Sequence, residues 1–102
     1  MKIERNSGDP RGRPPSPAAA DLALLALAFL AGEEEREARF LALTGLDAGD
    51  IPDLLGEASF QLAVLDHLAS DERLLLDFAA AHELPPEAVG RARRALGGGD
   101  EL

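Results

Sequence analysis

The run Asp21-Leu22-Ala23-Leu24-Leu25-Ala26-Leu27-Ala28-Phe29-Leu30-Ala31 leaves a folding chain few options. At about 100° per residue on a helix, Leu22, Leu25 and Phe29 share one side, while Leu24 and Leu27 lie nearly opposite. A helix that is apolar all round needs neighbours all round. The run therefore predicts a central helix wrapped by later segments on every side. It is too short to span a bilayer, which takes roughly 20 apolar residues. A secretory signal is a nearer competitor, because basic residues precede an apolar core. Against it, Asp21 abuts the core, Glu4 and Asp9 interrupt the basic region, and Glu33-Glu34-Glu35 follows at once. Ala26-Leu27-Ala28 is also a poor cleavage site inside the run. We expect the run to stay in the folded protein.

The remaining composition points to an all-α fold. Leu and Ala supply most of the 46% hydrophobic content, and both are strong helix formers. Val and Ile are scarce and Tyr and Trp are absent, which removes most strand-favouring residues. A chain of 102 residues suits one domain. The expectation is a compact single-domain bundle of five or six short helices over residues 17–96, with a flexible tail over 1–16 and a frayed C-terminus over 97–102.

Local signals place the helices. Ser16 suits an N-cap and Pro17 a first helical position, with Gly32 as a left-handed stop. A second helix starts in Glu33, Glu34, Glu35 and Glu37, where the helix dipole favours negative charge. Its expected buried side is Ala38, Phe40, Leu41 and Leu43; Gly45 ends it and Leu46 folds back as a latch. Asp50 can cap a short helix with Pro52 in its first turn. A fourth helix covers about 58–69. Phe60, Ala63, Val64, His67 and Leu68 lie on one face and Leu62, Leu65 and Ala69 on the other, so it is the expected companion of the first helix in the core. Ser70 can both end it and cap a fifth helix, whose inner face is Leu74, Leu75, Phe78 and Ala81. Pro86 and Glu87 open a sixth helix with the stripe Val89, Ala92 and Leu96, closed by Gly97-Gly98-Gly99.

Chemistry-bearing motifs are absent. There is no Cys, hence no thiolate and no Cys-based metal site. No glycine-rich phosphate loop, paired-His motif or Gly-x-Ser-x-Gly elbow occurs. The carboxylates at 33–37 lack a turn-forming ligand loop, and Asp47-Ala48-Gly49-Asp50 lacks the alternating ligands and terminal Glu of a Ca²⁺ loop. His67 follows Asp66, but sequence neighbours do not face each other on a helix, and neither His67 nor His82 has an evident nucleophile beside it. The expected sets of catalytic, cofactor-binding and metal-binding residues are therefore empty, with no cofactor and no enzyme activity. The net charge of −9 disfavours nucleic acid and anionic membrane as partners.

One stretch opposes that last inference. Phe78 to Arg91 follows the spacing of a DNA-binding helix-turn-helix, with Ala79 as the small residue of its first helix, Leu84 in the turn and Val89 in mid second helix. Its second helix would offer Arg91, Arg93 and Arg94 to phosphate. Glu83 stands where that turn usually has Gly, and Pro86-Glu87-Ala88 offers no base-reading side chain.

Leu22 to Leu30, Arg39-Phe40-Leu41-Ala42-Leu43-Thr44-Gly45-Leu46, Val64-Leu65-Asp66-His67-Leu68 and Asp71-Glu72-Arg73-Leu74-Leu75-Leu76 resemble a family of small bacterial helical proteins, domain-of-unknown-function family 3572. The similarity covers roughly residues 20–96, with Phe40 to Leu46 its most specific piece. Pro52 departs from the family pattern and leaves open whether residues 50–56 form a helix. The resemblance implies a small cytoplasmic helical domain and carries no activity or site residues. The absence of site chemistry and the apolar surplus of so short a chain lead us to expect a protein-interaction or regulatory adaptor module. Its partner would be an unidentified protein or a second copy. The helix-turn-helix is the alternative.

Overall fold

The computed structural model describes residues 18–97. Among them the order is α1 (Ala19–Ala31), α2 (Glu34–Thr44), a 3-10 turn (Ala48–Asp50), α3 (Ile51–Leu54), α4 (Ala58–Ala69), α5 (Glu72–Ala81) and α6 (Glu87–Ala95). No strand occurs among the described residues, and the all-α expectation holds. The tail over 1–16 and all of the frayed end but Gly97 lie outside the described residues. α1 starts later than the Ser16-Pro17 signal predicts: Ala18 is its N-cap, Ala19 is its first helical residue, and no side chain caps it.

α1 and α4 pack on one another, as expected, and α6 lies against both. α2 adds to α1 and α5 adds to α4. The common core joins Leu22, Ala23, Ala26 and Leu30 of α1 to Phe60, Val64, Leu65 and Leu68 of α4, with Phe40, Phe78 and Val89 arriving from α2, α5 and α6. Burying each large side chain contributes roughly 1.5–3 kcal/mol. Both α1 and α6 bring alanines to the core (Ala23 and Ala26, Ala88 and Ala92), and short side chains let helix axes approach closely.

The first helix is not wrapped on every side. Its buried residues are Leu22, Ala23, Ala26 and Leu30, whereas Leu24 and Leu25 are 41% and 37% exposed. Leu22 and Leu25, read as sharing a side, are divided between core and surface. The buried arc is centred on Ala26, a residue the apolar count gives little weight. On α2 the expected inner face is also too broad. Phe40 is buried and Leu41 half-buried, but Ala38 is exposed and Leu43 is 63% exposed. On α5 the core receives Phe78 and Ala79, while Ala81 faces solvent.

The helix ends follow local chemistry. Gly45 sits at φ 75° and donates its N–H to Leu41 O (2.9 Å), in the left-handed conformation that glycine adopts without cost. Leu46 packs against the core beyond it, as the latch required. Gly32 does not adopt that conformation; it ends α1 at φ −71°. Asp50 stands before α3 with Pro52 in the first turn, but its side chain makes no capping bond. Ser70 ends α4 by donating its hydroxyl to His67 O (2.7 Å). The cap of α5 is instead Asp71, whose Oδ1 accepts the Leu74 N–H at 3.2 Å.

Candidate interaction surface

The outward arc of α1 follows from helical spacing. Leu24, Ala28 and Ala31 stand at i, i+4 and i+7, with Leu25 and Asp21 beside them, and all five are exposed. Asp21 is the one charge in that arc. Isolated surface leucines are ordinary; here two leucines and two alanines line up as one exposed stripe along α1.

The stripe borders a groove. The C-terminal half of α1 (Leu27, Leu30), Phe40 of α2, and Ile51 and Pro52 of α3 enclose a mainly apolar cavity of about 230 Å³. Ala31 lies at its edge, and Glu37 supplies its one charged lining side chain. α3 forms this wall because Pro52 is tolerated in a first turn, where a missing N–H is harmless. Gln61 of α4 is buried and donates its Nε2 hydrogen to Leu55 O (2.9 Å), fixing the end of α3 against the core.

Arg36 lies on the other flank of α1. Its guanidinium is 4.2 Å from the centre of the Phe29 ring, and its Nε is 3.7 Å from Glu33 Oε1. Phe29 in turn meets Phe78 edge to face at 5.5 Å. Phe29 and Leu27 are about 200° apart on the helix, so this cation is turned away from the groove.

The two histidines are packing residues. His67 is buried, edge-on to Phe40 at 5.1 Å, and its Nε2 has no hydrogen-bond partner. Burial first and Arg39 second push its pKa below the ordinary imidazole value, with Asp71 partly opposing. A neutral imidazole against a phenyl edge fits that environment. His82 meets Phe78 with ring centres 4.8 Å apart and planes tilted by 48°.

The structure brings the helix-turn-helix residues to a well-formed turn. Glu83 occupies φ 54°, the left-handed position that the motif usually gives to glycine. Its N–H donates to Ala80 O (3.3 Å), and the Leu84 N–H donates to Ala79 O (2.9 Å). This pair of bonds is a Schellman ending. Arg91, Arg93 and Arg94 are not displayed as a set. Arg93 donates its Nε hydrogen to Asp66 Oδ1 at 2.7 Å, pinning α6 to α4. Arg91 and Arg94 are exposed, and Arg94 makes an interaction of its own.

The groove residues were missed by sequence reasoning, because they are spread over α1, α2, α3 and the turn at Ala48, and only packing unites them. The available signal was Ile51-Pro52, an apolar pair on a short helix with no obvious core to enter. Among the described residues no group of three or more His, Cys, Asp or Glu is placed to hold a metal ion. No described helix is long and apolar enough to cross a membrane.

A family model described as "Protein of unknown function (DUF3572)" matches residues 16–99. Neither a curated protein nor a solved structure matches the chain.

Proposed function

The chain belongs to the DUF3572 family, and on that premise we propose that it is a cytoplasmic protein-interaction module, a small regulatory adaptor that works by binding and not by catalysis. The observation that carries this reading is the outward apolar stripe of α1. Leu24 at 41% and Leu25 at 37% exposure stand beside exposed Ala28 and Ala31 on a helix whose other face forms the core. A monomer gains nothing in stability from leucines held in water, whereas an interface draws on such a surface. The test is affinity capture with the native chain and with a Leu24→Glu/Leu25→Glu variant, in parallel with sedimentation of both. The expected result is a partner or a self-associated species present with the native chain and lost with the variant, whose helical circular dichroism is unchanged. Identical eluates from the two chains, with a strictly monomeric native protein, would overturn it.

DNA binding through the α5–α6 turn is the second reading. The left-handed Glu83 favours it, because the turn has the motif's backbone. It ranks lower because Asp66 engages Arg93 and Glu87 sits in the first turn of α6, where phosphate would have to approach. Mobility-shift titration at low salt separates the two readings. DNA binding requires a shift that weakens steeply with salt and is abolished by the Arg91→Ala/Arg93→Ala/Arg94→Ala variant.

A further inference from the structure

Resting on the interaction reading, we propose that the groove between α1, α2 and α3 is the docking site for a basic amphipathic helix of a partner protein. The helix inserts one large aliphatic or aromatic side chain into the cavity and sets its Lys and Arg residues against the acidic rim.

Size sets the anchor. The cavity measures about 230 Å³ and is lined mainly by aliphatic and aromatic side chains; an engineered apolar cavity of about 150 Å³ takes up benzene. A Leu or Phe side chain therefore fits. The surface also sets the shape of the occupant. The described residues contain no strand and hence no sheet edge, so addition of a β-strand has no template among them; an amphipathic helix laying its apolar face into a hydrophobic groove does. The apolar track supports it. Leu24 and Ala31 are seven residues apart on α1, about 10 Å along the axis, which is the spacing of i and i+7 anchors on an incoming helix.

Charge sets the partner. Residues 33–57 hold eight carboxylates against Arg36 and Arg39. Glu37 lines the groove, and exposed Glu34 lies one turn before it on the same face of α2. Exposed Asp50 and Asp53 flank the Ile51-Pro52 wall. Arg36 is held against Phe29 on the far flank, and Arg39 projects about 200° around α2 from Glu37. The rim thus keeps its negative sign, which steers a basic segment and repels an acidic one.

The test is an NMR titration of the full chain with a synthetic helical peptide, Leu at alternating third and fourth positions and Lys elsewhere, and with a scrambled peptide of the same composition. The helical peptide is expected to shift the amides of Leu27, Ala31, Glu37 and Ile51. Ala31→Trp, which fills the groove from its edge, and Glu37→Lys are each expected to weaken binding roughly tenfold or more. Equal binding of the scrambled peptide, or no effect of Ala31→Trp, overturns the proposal. Two further outcomes do so as well: a native dimer that Ala31→Trp dissociates makes the occupant a second copy, and nuclear Overhauser contacts from residues 1–13 to groove protons in the free protein make it the chain's own basic segment. The capture experiment is independent. A partner lost with Leu24→Glu/Leu25→Glu but indifferent to Ala31→Trp and Glu37→Lys leaves the adaptor reading standing and removes this one.

Discussion

α1 and α4 look alike in sequence and end differently in the fold. Each has apolar residues on two sides. α4 is enclosed by α1, α5 and α6, so Phe60, Val64, Leu65 and Leu68 are all buried, together with Gln61 and His67. Its exposed residues are Ala58, Ser59 and Asp66, none of them a large apolar side chain, and Asp66 is used to hold Arg93. α1 has as many neighbours, yet its outward arc keeps Leu24, Leu25, Ala28 and Ala31 in solvent. Apolar residues state a need for cover, and a chain this short runs out of helices to supply it. The uncovered remainder is the stripe on which the proposed interaction rests.

Substitutions can break or sharpen this contrast. The largest effect belongs to the enclosed helix. Leu65→Ala removes a fully buried side chain and should cost about 2–5 kcal/mol in urea denaturation. A loss under about 1 kcal/mol would place α4 outside the core. Phe29→Ala comes next. Full burial would give about 3–5 kcal/mol, but Phe29 is half-buried, so about 2 kcal/mol is expected by the same measurement.

His67 adds a pH dependence to the enclosed side. Its folded pKa is lowered, chiefly by burial, so the unfolded chain binds the proton more readily. The stability held by the neutral form is complete above about pH 6.5 and falls as the pH drops below it. The urea midpoint should fall between about pH 8 and about pH 5.5, and His67→Leu should flatten that fall. An unchanged slope would show the imidazole to be hydrated. Glu83→Gly relieves a left-handed glutamate and should raise stability by about 1 kcal/mol, read as a higher melting temperature. Smallest of all, Leu24→Ser on the uncovered arc should change stability by less than about 0.5 kcal/mol. If it costs as much as Phe29→Ala, the arc is covered and the contrast disappears.

Much of the fold was legible because helix ends are local events. Gly45, Pro52 and the span of α4 could be read from residues within one turn of them. The pairing of α1 with α4 followed from their double apolar faces. What failed was the choice of arc. Ala26 and Ala79 are buried where Leu24, Leu25 and Leu43 are exposed. A small side chain at a close crossing outranks a large one elsewhere, and the crossing is a property of two helices, not one. The cap of α5 was displaced by one residue because Ser70 turns its hydroxyl back to His67, leaving Asp71 to the next helix. The groove was illegible for a related reason. Its walls are contributed by α1, α2 and α3, and no single segment carries its outline. The arginines of α6 were visible as residues, but the Asp66 tie to Arg93 spans 27 positions.

The seating of α6 across α1 and α4 bears on how the protein is made. Ala88, Val89 and Ala92 close a wall that otherwise belongs to the first and fourth helices. A nascent chain that has reached the end of α5 has already synthesised α1 and α4, but not the segment that packs against both. Until α6 clears the ribosome, that flank stays greasy and open, and chaperone contact or premature association competes with closure. Cooperative folding therefore waits for α6, and a ribosome stalled after α5 should hold a protease-sensitive chain.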